Sequence, residues 1–353
     1  MTGRGPRVEP VRPGELGPGD VERWRVLQRT DPALANPFLA PEYAIALGAA
    51  RPQTRVAVLD EGFFAFDAHR SGIALPPGAG LSDQQAVIAP RGLDTRELAA
   101  RCGLHALCFE HVPERLLPRG VRRQVRYPSP VIDLSDGYGA FLADRRRASK
   151  NLVPTMMRKR RKMEREVGPV RFVFASDDRG VLHEVLRWKS ARYAELGAWD
   201  RFADASTVAL VHELHSTTAP GCSGTLSVLY AGDQVAAAHF GLRSERVLTS
   251  WFPTYNPELG AYSPGLLLHF LMAEAAAERG ITAFDLGAGD FGYKDALRTS
   301  DVVLVRGWAF RTTVAGIGRR ATTAAVHGAR TLTARTPRVR AALKGVRDRV
   351  RGG

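Results

Sequence analysis

Two aspartates, Asp285 and Asp290, bracket a glycine-rich turn in AFDLGAGDFGYK, and Tyr293 and Lys294 follow at once. A carboxylate inside an apolar strand such as AFDLG costs energy unless it is paired or functional. The end of a strand is also where α/β proteins usually gather a site. A turn-stabilising Asx hydrogen bond is the plainer role for either aspartate. Tyr293 could return a proton to a departing group, and Lys294 could meet a phosphate or a carboxylate. His239, in VAAAHFGLR, is the obvious candidate general base, although a lone histidine in an apolar strand is more often a core residue. Trp251 and Tyr255 follow in the next strand and could line a pocket or simply pack. Trp188 and Lys189 share a helix and could face a substrate.

These residues need elements to hold them. Tyr262-Ser263-Pro264-Gly265 begins a long apolar helix, with Ser263 expected as its N-cap and Pro264 at its first position. Free backbone N–H groups at such a helix start suit a phosphate, and Gly265 would let a ligand approach the backbone closely. Three strands are expected just before it, at 225–230, 234–243 and 246–252, with turns at Gly-Asp and Ser-Glu. Further strands are expected at VRFVFAS, ITAFDLG and VVLVRGWAF, and helices at 177–196 and 204–216. A helix after Leu134 is expected to run on through the basic segment and to break near Pro154.

The first half reads as two short helices, the second begun at Pro41, then a hairpin turning at Glu61–Gly62. A helix capped at Asp94 and strands at 105–111 and 121–133 complete it. Alternating strands and helices predict an α/β (α+β) chain. The expected parts are a poorly ordered Pro/Gly-rich lead (1–20), a first domain (21–127), a second domain (128–312) and a basic tail (313–353).

Charge is unevenly placed. The chain holds 50 Lys/Arg against 36 Asp/Glu. Residues 145–165 alone carry ten basic residues against Glu164, and residues 311–353 carry eleven against Asp348, so the remainder is mildly acidic. Neither basic segment contains an aromatic residue, unlike a nucleic-acid surface that stacks bases. They suit something anionic: a polysaccharide, a lipid-linked sugar, a nucleotide ligand or, for the tail, an anionic membrane face. No stretch approaches the roughly 18 apolar residues of a membrane span, and the N-terminus lacks an apolar signal core. A cytoplasmic protein is expected, with peripheral contact at the inner membrane face open to its tail. Cys102, Cys108 and Cys222 show no metal-ligand spacing, so buried thiols, no disulfide and no metal are expected.

The run SPGLLLHFLMAEAAAERGITAFDLGAGDFGYK (263–294), the basic RRRASKNLVPTMMRKRRKMERE, and NPFLAPEY and GLSDQQAVIAP in the first half together resemble the GNAT acyltransferase superfamily. Within it, they resemble the branch of the cellulose-biosynthesis CelD-like acetyltransferases. That resemblance implies tandem GNAT-like domains, each a mixed twisted sheet flanked by helices. It implies an acyl-CoA co-substrate, acetyl-CoA foremost, with its pyrophosphate on the helix that starts near Gly265. Tyr262, Ser263, Gly265, Leu266 and Lys294 would hold this donor. The thioester would lie against the strand containing Leu248–Phe252, where a backbone N–H polarises its carbonyl. An amine or hydroxyl of a sugar or envelope precursor would attack it, served by His239, Asp290 and Tyr293. Trp188, Lys189, Trp251, Tyr255 and Asp285 would line the acceptor side. The stretch ELGAYSPG departs from the superfamily's common Gln/Arg-x-x-Gly-x-Gly/Ala loop. A Fem-type transferase using aminoacyl-tRNA, or a non-catalytic binding module in polysaccharide assembly, therefore stays open.

Overall fold

The computed structural model describes residues 7–311 except 79, 90–92 and 290–291, so Asp290 and the basic tail lie outside the described residues. The first half begins with α1 (Pro18–Thr30) and α2 (Pro41–Ala50), each with its proline in the first turn, where a missing N–H costs nothing. The hairpin β1 (Thr54–Leu59) and β2 (Gly62–His69) turns at Asp60–Glu61, one residue earlier than expected. Gly62 opens β2 because a Cβ there would stand 2.1 Å from the Ile88 carbonyl oxygen. Next come β3 (Ile73–Leu75), α3 (Thr95–Arg101), β4 (Ala106–Pro113) and the long β5 (Arg122–Asp133). Asp94 caps α3 as expected, accepting from the amides of Arg96 (2.8 Å) and Glu97 (3.4 Å). Residues 7–17, expected to be loose, instead lie on this half. Val11 exchanges two 2.9 Å backbone bonds with Val56, and Pro13 is buried beside Gly48.

The second half continues with α4 (Gly137–Ala148) and α5 (Leu152–Glu166). The helix breaks at Ser149, whose backbone is extended, rather than at Pro154. Pro154 then falls in the first turn of α5, where it is tolerated. β6 (Val170–Val173), α6 (Arg179–Glu195), α7 (Ala205–Ser216) and the short β7 (Thr218–Ala219) lead to the hairpin of β8 (Cys222–Ala231) and β9 (Gln234–Arg243). The expected single strand 246–252 is two: β10 (Val247–Thr249) and β11 (Phe252–Tyr255). Then follow α8 (Pro264–Glu278), β12 (Ala283–Asp285), the short α9 (Gly292–Leu297) and β13 (Ser300–Phe310).

All strands join one mixed sheet in the order β1-β2-β3-β4-β13-β5-β12-β10-β9-β8-β6, with β11 on β9 and β7 on β8. The chain is therefore a mixed α/β fold with helices on its sheet. β5 runs through the expected boundary at 127/128, pairing β13 along most of its length and β12 at its end. The last strand, β13, lies between β4 and β5 and so completes the first half.

Strand alternation divides the core of the second half. Ala237 of β9 and Leu229 of β8 join Phe141, Met156, Met163 and Phe270 from α4, α5 and α8. Phe240 and Leu242 of β9 join Leu182, Leu186, Leu210 and Leu214 from α6 and α7. Tyr43 and Leu47 of α2 enter that second cluster, so the two halves share apolar core. The three cysteines are buried as free thiols, their pKa values raised by that burial.

Candidate active site

The site begins where β10 and β11 part. β10 pairs with β12 in parallel over Val247–Thr249, whereas β11 pairs only with β9. The two residues between them leave the ladder. The Ser250 N–H donates to the Asp285 carbonyl (2.8 Å), and the Trp251 N–H donates to His239 Nε2 (3.3 Å). β11 thus diverges from β12, and its unpaired edge faces the start of α8. A pocket of about 340 Å³ occupies this opening, lined by Pro253, Thr254, Tyr255, Ser263–Leu266, His269 and Tyr293 among others.

Ser263 holds the N-cap position, but in a left-handed conformation (φ 53°, ψ 50°), and its side chain caps no amide. Its hydroxyl instead accepts from Lys159 Nζ of α5 at 2.6 Å. A basic side chain is thereby tied to the positive end of the α8 dipole, a combination that favours an anion. Gly265 N–H, second in the helix, has no intrahelical partner by position. A Cβ at Gly265 would stand 3.4 Å from the ring of Tyr255. Tyr262 points elsewhere: its hydroxyl donates to Glu166 (2.8 Å) and Lys162 sits 5.7 Å from its ring centre.

A hydrogen-bonded chain runs under the pocket. His269 Nδ1 lies 2.7 Å from the Gly265 carbonyl, which can only accept, so Nδ1 carries the proton. Nε2 is then an acceptor and takes the Ser250 hydroxyl at 3.3 Å. The Tyr293 hydroxyl comes next, in a hydrogen bond with Ser250 that works against the effect of burial on its pKa. Burial pushes the Tyr293 phenol up to about 12, so it stays protonated at neutral pH and faces the pocket.

Asp285 anchors the other side of the strand break. Its buried carboxylate accepts from Ser129 Oγ (2.8 Å), Gln84 Nε2 (3.0 Å), Asn36 Nδ2 (3.3 Å) and the Gly287 N–H (2.9 Å). Asn36 and Gln84 come from the first half. Lys294, expected at the donor, is buried here and donates to the carbonyls of Gly287 (2.8 Å) and Ala288 (3.2 Å). Burial lowers its pKa, and Asp83 and Asp285 nearby act the other way.

The remaining expected residues divide clearly. His239 is fully buried on β9 away from the pocket lining, held to about 3 by burial and by His269. Trp251 is buried against Phe38, Tyr43 and Phe252, with its indole N–H on the Leu81 carbonyl (2.9 Å). Trp188 and Lys189 are half-buried on α6, and burial pushes Lys189 down to about 8. Asp290 lies outside the described residues. Among the described residues no group of His, Cys, Asp and Glu could hold a metal ion.

Sequence reasoning missed Ser250, His269, Asn36, Asp83 and Gln84. His269 had a signal, as the one polar residue within GLLLHFLMA, and Asp83 and Gln84 lie in the GLSDQQAVIAP run. Nothing local marks Ser250 or Asn36.

The buried imidazoles make acid sensitivity an expected property. His269 is depressed to about 4 by burial and Lys294, while His239 is lower still. Unfolded histidines take protons below about pH 6.5, and the folded ones resist until about 4 and 3. Stability is thus full above pH 6.5 and falls as pH drops through that window. Asp83, pushed up to about 7, opposes this over the same range. A net loss on the order of 3 kcal/mol between pH 6.5 and 4 is expected from urea unfolding at stepped pH. A flat profile would contradict this account of the histidines.

Residues 150–295 match the family described as Acetyltransferase (GNAT) domain, which takes in α5 through most of α9. Over those residues the second half is therefore similar to a GNAT acetyltransferase domain. No curated protein matches the chain closely in sequence. A conserved protein of unknown function from Bacteroides thetaiotaomicron is similar in structure, with TM-score 0.56, 14% identity, and 86% and 100% of the two chains covered. So is the C-terminal domain of an inferred lysylphosphatidylglycerol synthetase from Agrobacterium fabrum, with TM-score 0.52, 14% identity, and 86% and 96% covered. At such identities these likenesses speak for the fold alone.

Proposed function

We propose that this protein transfers an acyl group from acyl-CoA, with acetyl-CoA the reference donor, directly to an amine or hydroxyl of a sugar or envelope precursor. The observation that carries the reading is the pocket between the open edge of β11 and the start of α8, with a protonated tyrosine on its wall. The donor's phosphates would lie against Lys159 and the first turn of α8, and its pantetheine arm along β11. An outward amide of β11 would polarise the thioester carbonyl. The acceptor's nitrogen or oxygen bonds to the carbonyl carbon and gives up its proton to a base, the C–S bond breaks, and Tyr293 gives its proton to the departing sulfur. The CelD-like assignment and the saccharide acceptor rest on sequence resemblance.

Calorimetric titration with acetyl-CoA tests the donor. Binding is expected to stabilise the fold by about 2.7 kcal/mol at a hundredfold excess over Kd. Gly265→Glu is expected to weaken binding at least tenfold, since its side chain would extend past the Tyr255 ring it touches and set a carboxylate where phosphate should sit. If no CoA species binds the parent, the acyl-CoA reading fails.

One observation favours a second reading. The basic α5 flanks the pocket mouth through Lys159, and a similar fold occurs in the inferred lysylphosphatidylglycerol synthetase. An aminoacyl-tRNA donor would use both, and would show tRNA binding that falls steeply with salt. No helix among the described residues is long and apolar enough to cross a membrane. Contact of the basic tail with an anionic membrane face at the cytoplasmic side is proposed on composition alone.

A further inference from the structure

We propose that the acceptor is an amine that also carries an anionic group, seated where the two halves meet. Its nitrogen lies at Asp83, which takes its proton, and its anion at Lys189 and Arg201. This rests on the acyl-transfer reading and names the chemistry of its second substrate.

Gly287 marks the place. It is left-handed (φ 75°), and a Cβ built on it would lie 3.4 Å from Asp83 Oδ2, 3.7 Å from the Ser250 carbonyl and 3.9 Å from Lys294 Nζ. A first-half carboxylate and the backbone of the strand break thus meet at Gly287. Ser250 joins this place to the donor pocket, for its hydroxyl bonds His269 on the pocket wall. A nucleophile held by Asp83 would approach the thioester across Ser250, with Tyr293 on the far side.

The charges around this place are of two kinds. Asp285 is spent on four donors and Lys294 on two carbonyls. Asp83, by contrast, makes no hydrogen bond or ion pair among the described residues, and Lys189 only stands 5.5 Å from the Tyr193 ring centre. Arg201 gives one nitrogen to the Gly80 carbonyl (2.7 Å), and a guanidinium has five N–H groups to offer. Arg201 and Lys294 both lie near enough to Asp83 and to Lys189 to act on their charge. Burial and Asp285 push the Asp83 carboxyl up to about 7, where a general base is most effective. Arg201 acts on the charge of both Asp83 and Lys189, and such a grouping suits a ligand with one positive and one negative end.

The step balances. The ammonium first loses one proton to solvent; the free amine nitrogen then bonds to the acyl carbon, the C–S bond breaks, Asp83 receives the remaining surplus N–H proton, and Tyr293 protonates sulfur. Solvent then restores both groups.

The test uses two pairs of probes, so that phosphate and carboxylate are separated: glucosamine 6-phosphate against glucosamine, and β-alanine against β-alaninamide. Thermal midpoints are read for each probe alone, and thiol release from acetyl-CoA is read with each. In at least one pair the anionic member should raise the midpoint more and react at least tenfold better in kcat/KM. Lys189→Ala with Arg201→Ala should shrink that preference below twofold without changing acetyl-CoA affinity. Asp83→Asn should lower kcat at least a hundredfold, with Asp83→Glu recovering part of it. Equal midpoints within both pairs, or a preference that survives the double variant, overturns the anion site. A near-parental Asp83→Asn overturns the base. If acetyl-CoA fails to bind, the donor reading falls, while the midpoints still decide on the anion site.

Discussion

Asp285→Ala is expected to lower the free energy of unfolding by about 3–5 kcal/mol, the range for stranding one side of a buried charged network. The substitution strands four donors that converge on one carboxylate: a β5 hydroxyl, two first-half side-chain amides and the Gly287 amide. Each unpaired buried group costs roughly 1–3 kcal/mol, and some will find water, so the sum falls short of four full penalties. Asp285→Asn keeps the shape but turns an N–H₂ toward donors, so it should be only slightly milder. Urea midpoints and slopes for the parent and both variants give the answer. A loss under 1 kcal/mol for alanine would mean that the network holds nothing together. Hydrogen exchange should also show the 36–39 and 82–87 segments opening more easily, because their link to the second half is gone.

Tyr293→Phe is expected to lower kcat for acyl transfer by about a hundred- to ten-thousandfold, the usual worth of a positioned proton donor. Acetyl-CoA affinity should stay within a few-fold, because the ring that lines the pocket remains. The phenol that burial keeps protonated is one hydroxyl, that of Ser250, away from His269, which positions it without supplying a proton. His269→Gln should therefore slow the reaction less than Tyr293→Phe does. A donor thioester with a more acidic thiol needs less help in leaving and should narrow the Tyr293→Phe defect. If Tyr293→Phe stays within threefold of the parent on acetyl-CoA, the leaving sulfur takes its proton from elsewhere.

Much of the architecture was legible because its signals are local. Pro41, Asp94 and the Gly-Asp turn of the β8–β9 hairpin each act within a few residues, and all three sit where expected. Pro154 misled because a proline both breaks a helix and starts one, and only tertiary packing chose the second use. The division of 246–255 into β10 and β11 depends on the Asp285 carbonyl and on His239, which are remote in sequence. The site shows the same limit. The turn spacing marked Asp285 and Tyr293, but the partners that give them meaning come from β5, α8 and the first half. His239 looked catalytic by type, and its burial away from the pocket could not be read from its neighbours. Ser263 shows that a good N-cap residue does not always cap: Lys159, a helix away, takes its hydroxyl.

The placement of β13 bears on how the chain is made. A ribosome emits the first half at about 5–20 residues per second, and domains generally fold as they emerge. Here β4, paired on one side with β3, and β5, which pairs β12 only at its end, must wait for a strand near the end of the described chain to fill the gap between them. For on the order of ten seconds or more, two strands of the nascent chain expose open edges, which invite pairing with other chains. The strong charge of RRQVRY on β5, exposed for most of that length, is the kind of edge protection such a delay requires.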